Sequence, residues 1–344
     1  MKIIFGSAQT TFLEGGGRLT QILNTKKYLE KLGHEVKLFQ EWESFQKEDY
    51  DLFHLFGANL NTYFLGKTMR EQGFPLIVSP IFYSRQRPIT LRWLYYSGKV
   101  IERIRGFYHW YGFISKLGRL AEMNLPNTNK EAELLHQGLG IPKTKITVVP
   151  NAVEERFYYA TPELFQQKYG MRSFILYVGH IGSGRKNTLR LIQVLKKIDY
   201  PSVLIGPIAK SDYADLCLKE AKKSKNILII PGISTDSPLL ESAYAACDVF
   251  VLPSFFETPG LAALEAGLAG AKIVVTKYGG TEEYFRQYAE YVKPNSEKSI
   301  YQGIIRALNK KKDEKLREHL RENFSWEKIA KATTEVYELV LKNA

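Results

Sequence analysis

Along this chain, short apolar runs of strand length alternate with stretches whose apolar residues recur at helical spacing. Residues 2–8 open as a strand, and Leu19, Ile22, Leu23 and Leu29 mark a helix over about 19–32. Gly33 and His34 close that helix, and 35–39 form the next strand. Strand, helix and strand in this order make a βαβ unit, which requires a right-handed crossover and a parallel sheet. Further strands are predicted at 51–57, 75–80 and 146–153, with a helix at 130–138. A boundary between units falls at 152–170, with a helix at 161–169. The alternation then restarts: strands at 174–179, 203–206, 227–232, 248–254 and 272–276 are separated by helices at 188–198, 213–224 and 239–246. One more helix is predicted to open at Thr258 and Pro259, where a missing N–H costs nothing. Helices at 296–310 and 313–321 lead to a last one over 324–341, capped by Ser325.

A chain of 344 residues exceeds one average core, so two domains are expected. No apolar run approaches the roughly 20 residues that span a bilayer, and the N-terminus lacks a leader pattern; a cytoplasmic protein is expected. Cys217 and Cys247 lack metal-ligand spacing and read as reduced, buried thiols. The net charge of +12 points to an anionic partner. Nucleotide phosphate and an anionic membrane both fit; nucleic acid is not expected, because no binding motif for it is present. Residues 85–119 mix Arg85, Arg87, Arg92, Lys99, Arg103, Arg105, Lys116 and Arg119 with Trp93, Tyr95, Tyr96, Phe107, Tyr108, Trp110, Tyr111 and Phe113. That texture suits a membrane interface; the plainer alternative is a helical pair packing its rings inward.

Three clusters carry candidate chemistry. Gly15, Gly16 and Gly17 precede the first helix and can bring backbone N–H groups to a phosphate or sugar. After the strand at 174–179, Gly179, Gly182 and Gly184 with Arg185 and Lys186 form a cradle suited to a diphosphate. The third cluster is FETPGLAALEAGLAG, residues 256–270, where Glu257 precedes a helix start and Glu265 lies inside the helix. A second glycine turn with carboxylates, residues 278–283, follows the next strand. His54, inside an apolar run, reads first as a core histidine, though its strand end keeps it near a ligand position.

In this order, Gly15-Gly-Gly17, Arg185-Lys-Asn187 and Glu257-x7-Glu265 resemble the family 4 (group 1) retaining glycosyltransferases of GT-B fold. The resemblance extends to Gly33-His-Glu-Val36, Val149-Pro-Asn-Ala-Val153, Gly279-Gly-Thr-Glu-Glu283 and the helix after Phe324-Ser-Trp326. It implies an α/β chain of two Rossmann-like domains facing across a cleft, with the last helix crossing back to the first domain. The domains would be 1–155 plus 325–344 for the acceptor and 156–324 for the nucleotide-sugar donor. By resemblance, Glu265 would take the ribose hydroxyls and Glu257 a hydroxyl of the donor sugar. Gly260 and Leu261 would face sugar or diphosphate, while Lys186, supported by Arg185, would neutralise the leaving diphosphate. Gly16 and Gly17 would close over the phosphates, and His180 and Glu283 would line the same site.

The activity implied is retaining transfer of a hexosyl or related sugar from a nucleotide-sugar to a glycan or lipid-linked acceptor in polysaccharide or glycoconjugate synthesis. No cofactor is implied beyond the donor substrate, and no metal: Asp49-Tyr-Asp51 lies at the entry end of a strand, away from the ligand end. Location on the inner face of the cell membrane would follow from residues 85–119. Two departures stand out: His180 occupies a position where the family often has Arg, and Val78-Ser-Pro-Ile-Phe82 lacks the family's frequent His. They motivate an alternative, a non-catalytic GT-B subunit that binds a nucleotide or glycan. Use of the same architecture by a nucleotide-sugar epimerase fits Glu257 and Glu265 less well.

Overall fold

A computed structural model of the chain describes residues 1–102 and 109–343; Arg103, Arg105, Phe107 and Tyr108 lie outside them. The chain forms two compact units, Met1–Asn151 with Trp326–Ala344, and Ala152–Ser325.

The first unit is built on five parallel strands: β1 (Lys2–Ser7), β2 (Glu35–Leu38), β3 (Leu52–Phe56), β4 (Leu76–Ser79) and β5 (Met123–Asn124), in the order β2-β1-β3-β4-β5. β3 and β4 are buried at every position, as strands covered on both faces must be. Helices Gly17–Lys31 and Trp326–Lys342 pack on each other through Tyr28 and Trp326, whose stacked rings are 6.2 Å apart. The terminal helix thus belongs to the first unit, although it follows the second in sequence. Helix Leu60–Glu71 opens with a reciprocal cap between Asn59 and Thr62. It then lies against helix Trp110–Leu120 at Gly66, where a Cβ would fall 2.7 Å from Leu117.

Two expectations for this unit change. Residues 146–153 are not a strand: only isolated bridges join Ile146 to Asn124 and Val153 to Ser325, and Pro150 has no donor for a ladder. The segment 85–119 also divides. Helix Trp110–Leu120 buries Phe113, Ile114 and Leu117, whereas helix Pro88–Ile101 buries Leu91 and Tyr95 and exposes much of the rest.

The second unit has six parallel strands: β6 (Ile175–Val178), β7 (Ser202–Ile205), β8 (Ile227–Ile230), β9 (Val249–Leu252), β10 (Lys272–Thr276) and β11 (Ala289–Val292). Their order is β11-β10-β9-β6-β7-β8. Counted from its own first strand this is 3-2-1-4-5-6 reversed, the doubly wound Rossmann order, with the chain changing direction between β6 and β9. β11 has no counterpart in the sequence reading, because Ala-Glu-Tyr-Val is too polar and short to stand out. The helix expected at Thr258 begins at Leu261 instead. Gly260 is its N-cap at φ 88°, and the Thr258–Pro259 peptide is cis, so these residues form a turn and not the first helical residues.

Candidate functional site

Ligands in open α/β sheets bind beyond the carboxyl ends of the strands, where the strand order reverses. In the second unit that point lies above β6 and β9, and the loops leaving these strands meet there. After β6 the chain passes Gly179 and Gly182, makes a short 3-10 turn at Gly184–Lys186 and enters helix Thr188–Leu195. Asn187 sits between them at φ 57°, a left-handed conformation that Asn tolerates better than most residues. Its buried amide donates to Pro253 O at 3.1 Å and Pro294 O at 2.8 Å, tying this loop to the ends of β9 and β11.

That tether places two cations on one carboxylate. Lys186 Nζ donates to Glu257 Oε1 at 2.7 Å, and Arg185 Nη1 lies 3.2 Å from the same oxygen. Arg185 also donates to Phe256 O at 3.0 Å, accepts from Phe255 N at 2.9 Å through its own carbonyl, and stacks over the Phe256 ring. Glu257 is 5% exposed. Burial alone would raise its pKa, but the charges of Lys186 and Arg185 outweigh burial and hold it below the ordinary carboxylate value. For Lys186, burial outweighs the attraction of Glu257, and its pKa is lowered.

The backbone of Glu257 is clamped as firmly as its side chain. Glu257 N donates to Tyr278 O at 3.1 Å, and Gly280 N donates to Glu257 O at 2.9 Å. A Cβ on Gly279, at φ 99°, would fall 1.9 Å from Glu257 O, so only glycine fits there. Glu283 follows in helix Thr281–Phe285, on the element leaving this turn. His180 stands at the exposed end of β6; burial and then the charges of Lys186 and Arg185 lower its pKa.

Gly260 and Leu261 stand at the start of helix Leu261–Leu268, which no side chain caps. The N–H groups of Ala263 and Leu264 already bond Gly260 O, which leaves Leu261 and Ala262 as the outward donors that a helix start presents to an anion. One turn further in, Glu265 Oε2 accepts from Tyr244 OH at 2.7 Å. Burial raises Glu265 to about 6, against the lowering effects of that hydrogen bond and of Arg156. Arg156 itself bonds Glu154 at 3.1 Å, Glu241, and Thr235 O at 2.8 Å. The site therefore holds two glutamates of opposite character: Glu257 firmly ionised, Glu265 poised to take a proton.

Within the second unit the structure brings Arg185, Lys186, Glu257, Gly260 and Leu261 together, with Glu265 on the same helix. Gly16 and Gly17 belong to the first unit, where Gly16, at φ 80°, is the N-cap of helix Gly17–Lys31. Sequence reading missed Tyr244 and Arg156 as the groups facing Glu265, and the tethering role of Asn187. A lone Tyr among small residues in Pro238–Ala246 was the available signal for the first. A Cβ on Gly182 would fall 2.3 Å from Ala214 Cβ, so the close approach of helix Asp212–Ala221 also requires glycine there.

Residues 163–325 match the profile of the family described as Glycosyl transferases group 1. An uncharacterized glycosyltransferase of Methanocaldococcus jannaschii is 28% identical over 227 residues, covering 58% of this chain and 56% of that protein. The chain spans about half the length of the curated relatives it first matches. Among solved structures, a glycosyltransferase from Rickettsia africae superposes with TM-score 0.76 at 17% identity, covering 100% of this chain and 99% of that one. Anabaena HepE in complex with UDP-glucose superposes with TM-score 0.74 at 16% identity, over 98% of this chain and 99% of that one. These likenesses show the fold, which is GT-B: two Rossmann-like domains, each with a parallel sheet.

Proposed function

We propose that this chain is a metal-independent, retaining glycosyltransferase that moves a hexosyl or related sugar from a nucleotide-sugar to a glycan or lipid-linked acceptor. The observation that carries the reading is the pairing of Lys186 and Arg185 with buried Glu257 at the switch point of the second unit. The group 1 match over this unit supports it, as does the HepE complex with UDP-glucose.

The chemistry follows from the arrangement. Glycosyl transfer builds positive charge at the sugar's anomeric carbon and negative charge on the departing diphosphate. Lys186 and Arg185 are held in place before the reaction, so they stabilise the growing diphosphate charge without reorganising. The outward N–H groups of Leu261 and Ala262 add to that stabilisation. Glu257, kept ionised, accepts a hydroxyl of the sugar. Glu265, as carboxylate, accepts the ribose hydroxyls, with Tyr244 fixing one of its oxygens. The departing phosphate oxygen takes the acceptor's proton on the face it leaves, which retains configuration.

The test is turnover of a panel of nucleotide-sugars, with and without chelator, alongside thermal shifts by the matching nucleoside diphosphates. Lys186→Ala and Glu265→Ala are expected to lower turnover by about tenfold or more, about 1.4 kcal/mol. Wild-type turnover in either variant removes that residue from the mechanism. Nucleotide binding with no turnover of any donor replaces the transferase with a binding subunit.

A further inference from the structure

Helix Pro88–Ile101 has two apolar faces back to back. Leu91, Tyr95 and Gly98 form the buried face: Leu91 packs on Gly138, Tyr95 OH accepts from Ser115 Oγ at 3.0 Å, and the His109 ring covers Gly98. Half a turn away, Ile89, Trp93, Tyr96 and Val100 recur at spacings of four, three and four, so they lie in one row along the helix. That row is 67%, 75%, 45% and 61% exposed. A soluble helix of this length needs one apolar stripe, and this one carries a second that the protein leaves in water.

The charge beside the row has one sign. Between Glu71 and Glu102 the sequence holds no Asp or Glu, while Arg85, Arg87, Arg92 and Lys99 all fall there. All four are exposed. Arg92 and Lys99 lie together along one side of the row: Arg92 sits over the Tyr96 ring at 5.8 Å, and Lys99 over the Tyr95 ring at 5.1 Å and the Tyr96 ring at 5.8 Å. Trp110 is a further exposed ring, beside the His109 that covers Gly98. Among the described residues no helix is long and apolar enough to cross a membrane.

We propose that this face lies flat on an anionic lipid surface, with Trp93, Ile89 and Val100 entering the headgroup boundary and Arg92 and Lys99 meeting lipid phosphate. The row is a single line of exposed aliphatic and ring side chains with cations along one side, which is what an interfacial helix presents. Rings paired with cations favour the headgroup level, where one end is apolar and the other wet. The proposal is independent of the sugar-transfer reading, since none of these residues belongs to the second unit.

The experiment is co-sedimentation of the whole protein with vesicles of phosphatidylcholine, with and without about one-third phosphatidylglycerol, at low and physiological salt. Binding is expected only with the anionic lipid. Each of Arg92→Gln and Lys99→Gln is expected to weaken it by about fivefold, and Trp93→Ala by about tenfold. Intrinsic fluorescence is expected to shift to the blue on binding, and the shift to shrink in Trp93→Phe, with exposed Trp42 and Trp110 giving the remainder. Because Trp93 is exposed, these variants are expected to keep the wild-type melting temperature and nucleotide binding, which separates this test from that of the transferase. No sedimentation with anionic vesicles at low salt overturns the proposal. So does sedimentation unchanged in all three variants, or binding to polyglutamate without binding to vesicles.

Discussion

Each unit buries a glutamate beyond the ends of its strands, and the two are held differently. In the first unit Glu131 is fully buried, and its carboxylate accepts from Phe82 N at 2.7 Å and Asn127 N at 2.8 Å. Those donors are backbone groups of the segments leaving β4 and β5, so Glu131 fastens these two loops to each other. Ile81, beside Phe82, is held at φ 50°, a conformation a β-branched residue adopts only where its surroundings enforce it. In the second unit Glu257 is paired with the side-chain cations of Lys186 and Arg185 at the switch point of the sheet. A buried carboxylate held by backbone is a fastening. One held by two cations at a switch point is what the proposed donor site presents before substrate arrives.

The sharpest way to break that contrast is to remove each carboxylate. Glu131→Ala leaves buried backbone donors unpaired and is expected to cost about 4 kcal/mol of stability, read by denaturant unfolding. Glu257→Gln keeps an acceptor for Lys186 and is expected to cost about 1–2 kcal/mol while lowering turnover by tenfold or more. Equal stability losses in the two variants would erase the distinction.

Glycines give the next largest effect. Gly279→Ala meets Glu257 O and is expected to destabilise by about 3 kcal/mol, because the clash adds to the left-handed backbone. Gly15→Ala, at φ 63° and ψ −153°, meets nothing within 4 Å, so only the backbone cost of about 2 kcal/mol is expected. Thermal melts of the two variants decide it.

The two units also contain buried titrating groups that respond to acid in opposite senses. His54, bonded to Tyr337 OH at 2.6 Å and Ser79 Oγ at 2.9 Å, is pushed down to about 3 by burial. It is a neutral core histidine. The unfolded chain binds this proton near 6.5 and the folded chain only near 3, so the His54 contribution is intact above 6.5 and is lost as pH falls through that window. At pH 5 the loss is expected to be about 2 kcal/mol, and His54→Gln should flatten that part of the stability–pH curve.

Glu265 runs the other way. Its folded value of about 6 lies above the ordinary 4.5, so its contribution to stability falls as pH rises between them. On the ribose-binding role proposed for Glu265, nucleotide affinity is expected to drop by up to tenfold as pH falls from about 7 to 5, and Glu265→Gln to abolish that dependence. Titration calorimetry across the range reads this smallest effect, and a flat profile for the wild-type protein would take Glu265 out of ribose binding.

The periodic pattern of short apolar runs and amphipathic stretches was sufficient for the parallel α/β character, because strands buried on both faces and helices covering them leave unmistakable local signatures. It also exposed the Glu257-x7-Glu265 spacing and both glycine loops. Other features are local yet illegible: β11 is too polar, and the turn at Thr258 to Gly260 resembles a helix start in composition. What only the tertiary structure decided is pairing across distance. Lys186 reaches Glu257 over 71 residues and Tyr244 reaches Glu265 over 21. Gly279 is required because of Glu257 O, and Gly182 because of Ala214. Strand order and loop tethers create those proximities, and neither is encoded in the sequence near the residues they join. Residue types announce what chemistry is available; the fold determines which charges are neutralised, which are exposed and which remain free to bind.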